Sequence, residues 1–173
     1  ENNSVEIAKR LNHLKIFRKV VDSEDNSISV GIAQYLVPKP GVVELIENSG
    51  YSEGNFEKLR ERHAFLQLDS LNGTTDRLDT VLNRSGWDSS FFAGKLVLEC
   101  GCGAGPDTEI LRNLGATVIS VDLAGVDVAA RNLGHDGRSI LFKGDITDLP
   151  FREKAFDIVW RHLVLKNTPE PQM

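Results

Sequence analysis

The chain has 173 residues, of which 40% are hydrophobic and 26% are charged, and its formal net charge at pH 7 is −5. This composition indicates a globular protein with a buried core and excludes fibrous and disordered chains. The acidic balance disfavours nucleic acid and anionic membrane surfaces as partners. No apolar run approaches the roughly 18 residues that a membrane span requires, and the N-terminus lacks a signal-peptide pattern, so the sequence predicts a cytoplasmic protein.

The first 93 residues are predicted to form a mostly helical N-terminal extension. Apolar residues recur at helical spacing after Asn3, and Glu6 stands three residues beyond it, as in a capping box. A β-branched run that ends before Pro38 indicates a strand. The predicted elements are a helix from residue 3 to about residue 21, a strand at 28–37 with a possible hairpin partner at 42–46, and helices at 55–68 and 75–84.

Residues 94–173 contain short apolar runs that alternate with helical segments, which is typical of βαβ units around a parallel sheet. Gly115 and Gly134 stand just past two of the helical segments, where a left-handed residue commonly ends a helix. The predicted elements are strands at 96–100, 117–122, 139–143 and 156–160 and helices at 106–114 and about 125–133. The sequence therefore predicts an α/β, Rossmann-like, doubly wound parallel sheet that follows the helical extension.

The first predicted strand runs directly into a glycine-rich loop, Gly101-Cys102-Gly103-Ala104-Gly105. Residues without side chains at the carboxyl edge of a sheet let a nucleotide approach the backbone closely. Pro106 suits the first position of the next helix, and Asp107 suits the positive end of its dipole. Cys100 and Cys102 are too close in sequence for an unstrained disulfide and too few for a metal site, so no metal is expected.

The residue two positions before the loop indicates which cofactor binds there. Glu99 is a carboxylate at the end of an otherwise apolar strand. It would repel the pyrophosphate of NAD, whereas it would attract S-adenosylmethionine, which carries ammonium and sulfonium charges. The NAD fingerprint also has a third glycine where this chain has Pro106. The loop therefore favours S-adenosylmethionine.

Polar residues follow the next strands where a nucleoside pocket requires them. Asp122 ends the second strand, where a carboxylate can accept hydrogen bonds from both ribose hydroxyls. After the third strand, Asp145 can accept a hydrogen bond from an adenine amino group while Ile146 packs on the ring, although an aspartate there also commonly caps a turn. His162, just past the fourth strand, is the nearest candidate for a general base, and its alternative interpretation is a structural hydrogen-bonding residue.

In order and spacing, these blocks resemble the signature motifs of class I S-adenosylmethionine-dependent methyltransferases over about residues 95–171. The blocks are Glu99-x-Gly101-x-Gly103-x-Gly105, Val121-Asp122, Gly144-Asp145-Ile146 with Leu149-Pro150-Phe151, and Phe156-Asp157-Ile158-Val159. The chain is most similar to the small-molecule branch that includes the ubiquinone and menaquinone methyltransferases, often labelled methyltransferase type 11.

The resemblance implies a role for each part of the site. Glu99 and the glycine loop would surround the methionine part of the cofactor, Asp122 would hold the ribose, and Asp145 and Ile146 would flank the adenine. The predicted cofactor-binding residues are Glu99, Gly101, Cys102, Gly103, Gly105, Asp122, Leu123, Asp145, Ile146 and His162.

The chain departs from the family pattern near its end. Residues 163–171 resemble the family's Val-Leu-His-His-Thr-Pro-Asp-Pro stretch, but Lys166 and Asn167 replace the two histidines, so no acid–base role carries over. The family sheet has seven strands and this chain supplies four of them. We therefore expect a piece of a longer protein, with an unpaired fourth-strand edge that is open to self-association. Upstream, residues 67–75 resemble segments that close over the cofactor, which makes residues 72–75 lid candidates.

The predicted activity is methyl transfer from S-adenosylmethionine to a small-molecule acceptor. Since the sulfonium is already activated, positioning supplies much of the rate and no catalytic residue has to be visible in the sequence. The alternatives are an NAD-dependent oxidoreductase on a similar sheet and a non-catalytic interaction module that keeps the fold.

Overall fold

The computed structural model describes residues 2–45 and 67–162, which contain eight strands in one sheet, five α-helices and a 3-10 helix at Ser89–Phe92. The strands are β1 (Val21–Glu24), β2 (Ser27–Val30), β3 (Ala33–Lys39), β4 (Val42–Glu44), β5 (Leu96–Cys100), β6 (Thr117–Asp122), β7 (Ser139–Lys143) and β8 (Ile158–Arg161). The helices are α1 (Asn3–Leu14), α2 (Asp69–Asn72), α3 (Asp76–Ser85), α4 (Pro106–Asn113) and α5 (Val126–Leu133).

The last four strands form the parallel half of the sheet. Their order is β7-β6-β5-β8, and each neighbouring pair is parallel. β6 and β7 are buried along almost their whole length, because helices or loops cover both faces, and this explains why their sequences are nearly continuous apolar runs. The predicted Rossmann-like α/β fold is confirmed.

A four-stranded antiparallel meander, β1 to β4, extends the sheet beyond β7. β4 pairs in parallel with β7, with Val42 opposite Leu141. The hairpin predicted for residues 42–46 is present as β3 and β4, but the single strand predicted at 28–37 is wrong. It is divided into β2 and β3 because Gly31, with a φ of 68°, turns the chain between them. Part of the extension predicted as mostly helical therefore belongs to the sheet.

Helix α1 is shorter than the sequence predicts. It ends before Lys15, which adopts the left-handed conformation with a φ of 54°, and Val21 begins β1 instead of ending the helix. Phe17 and Val21 match the helical spacing because both are buried, not because both are helical. The side chain of Asn12 fixes the chain reversal, since it bonds to both the N–H and the carbonyl of Val21 at 2.7 Å.

The helix predicted at 75–84 and the strands and helices predicted from residue 96 onward begin and end within two residues of their predicted bounds, whereas α2 and the 3-10 helix were not predicted. The cap of α1 is Asn2 and not Asn3, and its side chain accepts a hydrogen bond from the Ser4 N–H at 3.2 Å. Most of the helix predicted at 55–68, residue 46 and the segment 163–171 lie outside the described residues. Within residues 2–45 and 67–162, no helix is long and apolar enough to cross a membrane.

Side chains of the parallel strands alternate between two cores, one on each face of the sheet. The first core joins α1 and the meander to the parallel strands through Ile7, Leu11, Ile28, Ile119 and Phe142. The second core lies under α3 and α4 and includes Val81, Phe92, Val97, Ile110 and Trp160. Because alternate residues share a face, Glu99 points to the same side as Val97, towards α4.

β8 is the last strand of the described sheet on the side away from the meander. Among the described strands it pairs only with β5, so its other backbone edge is unpaired there, and Val159 on one face of the strand is 66% exposed. An open edge of this kind can pair with another chain. Self-association through β8 stays a prediction.

The first core provides a test of how the meander is attached. Ile28→Ala should lower the free energy of unfolding by about 2–5 kcal/mol, because Ile28 is fully buried in the core that joins the meander to the parallel strands. The matched control is Ile32→Ala at the fully exposed β2–β3 turn, which should change it by less than about 0.5 kcal/mol. Chemical denaturation measures both, and equal effects would contradict a shared core.

Candidate functional site

The glycine loop connects β5 to α4 at the carboxyl edge of the parallel strands. Gly101, Gly103 and Gly105 have φ values of 83°, 55° and 92°, a conformation that residues with a side chain rarely adopt. The Gly101 N–H donates to the Val121 carbonyl at 2.7 Å, which extends the β5–β6 pairing into the loop. Gly105 caps α4, and Pro106 is the first helical residue, as predicted.

Glu99 lies in a polar row that crosses the sheet under α4. The strand register places it beside Ser120 on β6 and Trp160 on β8. The residue is 2% exposed. Its Oε2 accepts hydrogen bonds from Thr108 Oγ1 at 2.5 Å and from Ser120 Oγ at 2.7 Å. The carboxylate is thus held by two hydroxyl groups behind the glycine loop.

Burial changes the ionisation of this carboxyl. Desolvation, followed by the charge of Asp107, raises the pKa of Glu99 from 4.5 to about 7, while the hydrogen bonds from Thr108 and Ser120 lower it. Near neutral pH, Glu99 therefore exchanges readily between its neutral and charged forms. A cation bound near it would favour the charged form.

Four side chains next to Glu99 form a second polar group, which we call the Asp107 cluster: Arg77, Asp107, Trp160 and His162. Asp107 lies in the first turn of α4 and is 3% exposed. Its Oδ1 accepts from Arg77 Nε at 2.5 Å, and its Oδ2 accepts from Trp160 Nε1 at 2.9 Å. His162 Nδ1 lies 3.1 Å from Oδ2 and 2.7 Å from Arg77 Nη2. The cluster joins α3, α4 and the end of β8.

The protonation of His162 decides which of these contacts is a hydrogen bond. If Nδ1 carries a proton, it donates to Asp107; if it does not, it accepts from Arg77. The His162 side chain is 7% exposed, and its Nε2 is buried without a hydrogen-bond partner among residues 2–45 and 67–162. These contacts match the structural interpretation of His162, and its contact with a cofactor stays a prediction.

Asp122 holds the glycine loop against the β6–α5 connection. Its Oδ2 accepts from the Gly103 N–H at 2.9 Å, and its Oδ1 accepts from the N–H groups of Ala124 and Gly125 at 2.9 and 2.7 Å. The two loops are so close that a Cβ at Gly125 would overlap the carbonyl of Gly103. A ribose bound at Asp122 would therefore either share this carboxylate with the loop or break the hydrogen bond from the Gly103 N–H.

The pair predicted to flank adenine lies at the end of β7. Asp145 Oδ1 accepts from the Thr147 N–H and hydroxyl at 2.8 and 2.7 Å, so Asp145 caps the turn that follows it. Ile146 is half-buried against the first core. A Cβ at Gly144 would come within 2.9 Å of Leu45, which covers this strand end. Contact of Asp145 and Ile146 with adenine stays a prediction.

The remaining predicted residues pack around the loop. Cys102 is 3% exposed and belongs to a small core with Leu68 and α5, whereas Leu123 is half-buried after Asp122. Burial, and then the charge of Glu99, raises the pKa of the Cys100 thiol, which disfavours a reactive thiolate. In the described part of the chain, no group of three or more His, Cys, Asp or Glu side chains is placed to hold a metal ion.

The lid candidates 72–75 comprise the last residue of α2 and the turn that leads to α3, and this helix pair is hydrogen-bonded to α4. Leu68 is fully buried before α2. Ser70 donates to the Glu109 carboxylate through its hydroxyl and, at 3.4 Å, through its N–H. Arg77 on α3 makes a second connection to α4, through its hydrogen bond to Asp107. The described contacts thus hold these helices beside the loop, and a lid motion stays a prediction.

Sequence reasoning missed the partners of the buried carboxyl groups of Glu99 and Asp107. Thr108 and Ser120 donate to Glu99, and a hydroxyl within the apolar run of β6 was a usable signal for Ser120. Asp107 was interpreted only as a residue that suits the helix dipole. Arg77 had no local signal, because its partners lie on α4 and after β8.

A cleft of about 210 Å³ lies away from this site, at the amino edge of the strands, where the β3–β4 turn, the end of α5 and the start of β7 meet. It includes Lys39 and His135, which pair with Asp127 and Glu6. None of the predicted cofactor-binding residues lines it.

Comparison with known proteins finds a methyltransferase domain in the second half of the chain. Residues 98–173 match the family model of a methyltransferase domain. A search of curated proteins gave no significant match.

Three solved structures are among those to which the chain is similar. The first is a protein of Methanococcus maripaludis, provisionally assigned as an S-adenosylmethionine-dependent methyltransferase; the TM-score is 0.54 at 13% identity, over 72% of this chain and 56% of that chain. This similarity shows the fold. Phosphoethanolamine N-methyltransferase 1 of Haemonchus contortus, solved with phosphoethanolamine and S-adenosylhomocysteine, has a TM-score of 0.45 at 19% identity, over 66% of this chain and 26% of that chain.

Magnesium protoporphyrin IX methyltransferase of Synechocystis PCC 6803, solved with S-adenosylmethionine, has a TM-score of 0.42 at 19% identity, over 72% of this chain and 54% of that chain. The present chain therefore spans only about a quarter to a half of the length of these three proteins.

The raised pKa of Glu99 predicts a pH-dependent cost in stability. In the unfolded chain the carboxyl ionises near pH 4.5 and in the folded chain near pH 7, so stability falls as the pH rises between these values. Glu99→Gln stays neutral and should therefore be up to about 3 kcal/mol more stable than the wild type at pH 8, but nearly equal at pH 4.5.

Chemical denaturation at both pH values measures this difference. The control is Glu153→Gln at an exposed position, which should stay within about 0.5 kcal/mol of the wild type at either pH. A Glu99→Gln variant that is less stable than the wild type at pH 8 would contradict the cost of burial.

Proposed function

We propose that this chain binds S-adenosylmethionine at the glycine loop and supplies the cofactor-binding part of an enzyme that methylates a small molecule. The observation that carries the proposal is the buried Glu99 carboxylate two residues before the loop. The match of residues 98–173 to a methyltransferase domain supports it.

The charged groups of the site suit this cofactor. S-adenosylmethionine carries a sulfonium and an ammonium, and the carboxyl groups of Glu99, Asp107 and Asp122 all lie close to the loop. Their negative charge favours a cation there. NAD would instead bring its pyrophosphate close to these carboxylates.

When bound, S-adenosylmethionine supplies an activated methyl group on sulfur. The residues of the loop would bind and orient the cofactor, and Asp122 would hold its ribose. Transfer then requires an acceptor in line with the sulfur, and it requires a base only if the acceptor must lose a proton. We assign no catalytic base among the described residues.

A small-molecule acceptor is supported by the charge of the chain. A net charge of −5 provides no general attraction to nucleic acid. Membership of the ubiquinone and menaquinone branch stays a prediction.

Calorimetry separates this cofactor from its alternative. The chain should bind S-adenosylmethionine and should not bind NAD, since three carboxyl groups lie close to the loop. Binding of NAD alone would overturn the proposal. Transfer of a radiolabelled methyl group into small molecules of a cell extract would then separate an enzyme from a binding module.

The ionisation of Glu99 predicts how this affinity depends on pH. Because the charged carboxylate favours a cation and the pKa of Glu99 is about 7, the affinity should rise roughly tenfold between pH 5.5 and 7.5. This range lies below the pH at which an α-amino group loses its proton. Glu99→Gln should bind more weakly at pH 7.5 and with little pH dependence, whereas Glu153→Gln should follow the wild type. A wild-type affinity that falls with rising pH in this range would contradict the role of Glu99.

A further inference from the structure

The Asp107 cluster links elements that are far apart in the sequence. Arg77 belongs to α3, Asp107 to α4, and His162 follows β8. The Asp107 and His162 side chains are 4% and 7% exposed, and that of Arg77 is 25% exposed. A guanidinium is a rigid fork of N–H donors, so Arg77 can fix the positions of two partners at once.

The same cluster adjoins the carboxyl group behind the glycine loop. Asp107 is followed directly by Thr108, whose hydroxyl donates to Glu99. The charge of Asp107 also acts on Glu99. Arg77 is the permanent cation of the cluster, so it balances the charge that Asp107 places next to Glu99.

We propose that Arg77 is a positioning residue of the cofactor site, which holds Asp107 and His162 beside the glycine loop and balances the charge next to Glu99. The inference rests on the proposed function. Arg77 thereby makes α3, a helix outside the parallel half of the fold, part of the binding site. It sets the affinity for S-adenosylmethionine and the pH at which binding becomes strong.

The groups that face Glu99 and Asp107 come from every element around them. They are Thr108 on α4, Ser120 and Asp122 on β6, Trp160 and His162 at β8, and Arg77 on α3. Cys100 follows Glu99 in β5, and its side chain packs against the first core on the opposite face of the sheet. Loss of the Arg77 charge would leave two neighbouring buried carboxyl groups, which resist double ionisation. The pair would then keep a proton to higher pH.

The test compares Arg77→Met and Arg77→Lys with Arg84→Met, an exposed arginine on the same helix. Calorimetry with S-adenosylmethionine between pH 5.5 and 7.5 gives the affinity and its pH midpoint, and thermal unfolding gives the stability of each variant. Arg77→Met should bind at least about tenfold more weakly at pH 7, with a midpoint raised by roughly one pH unit. Arg77→Lys should restore the midpoint but only part of the affinity, because one ammonium cannot reproduce both contacts. Arg84→Met should match the wild type.

Asp107→Asn keeps the inference testable if Arg77→Met does not fold. It removes the negative charge next to Glu99, so its midpoint should move down instead of up. An Arg77→Met variant with the affinity and midpoint of the wild type would overturn the inference and leave the proposed function intact. Weaker binding by Arg77→Met with an unchanged pH midpoint would also overturn the inference. The same holds if the pH midpoint of Asp107→Asn does not fall. A wild-type chain that does not bind S-adenosylmethionine would contradict the proposed function and this inference together.

Discussion

Burial of the Glu99 carboxyl group is the constraint on which the site depends. Moving its pKa from 4.5 to about 7 corresponds to about 3 kcal/mol, a large share of the stability of a small domain. An apolar residue of similar size would remove this cost, since buried ionisable groups seldom contribute net stability. The chain nevertheless has a carboxyl group two residues before the glycine loop, where it can attract a cation.

The partners of Glu99 follow from the register of the parallel strands. Residues opposite one another on neighbouring parallel strands face the same side, so Ser120, Glu99 and Trp160 form a row across three strands. Helix α4 begins immediately after the loop and brings Thr108 over that row. Asp107 is placed above Trp160 by the same short connection. The length of the glycine loop therefore determines the polar contacts as well as the approach of a cofactor.

The parallel half of the fold could be predicted because its signals are local. Short apolar runs, the glycine loop and Pro106 all act within a few residues, and β5, β6 and β7 agree with prediction. The meander could not be predicted in full. Gly31 turns the chain inside a β-branched run, and the pairing of β4 with β7 joins distant residues such as Val42 and Leu141, which no periodicity reveals.

The residues of the site differ in the same way in how far the sequence predicts them. Glu99, the glycine loop and Asp122 lie at strand ends that a sequence pattern can locate, whereas the Asp107 cluster depends on tertiary contact. An aspartate in the first turn of a helix is an ordinary helix signal, and such a residue is usually exposed. Asp107 is 3% exposed and is bonded to α3 and β8, so its local role does not explain its burial. The buried carboxyl groups of Glu99, Asp107 and Asp122 lie close to the loop, and Arg77 on α3 bonds to one of them, Asp107. Under the proposed function these carboxyl groups favour a cation at the loop, and the bond from Arg77 connects α3 to the site.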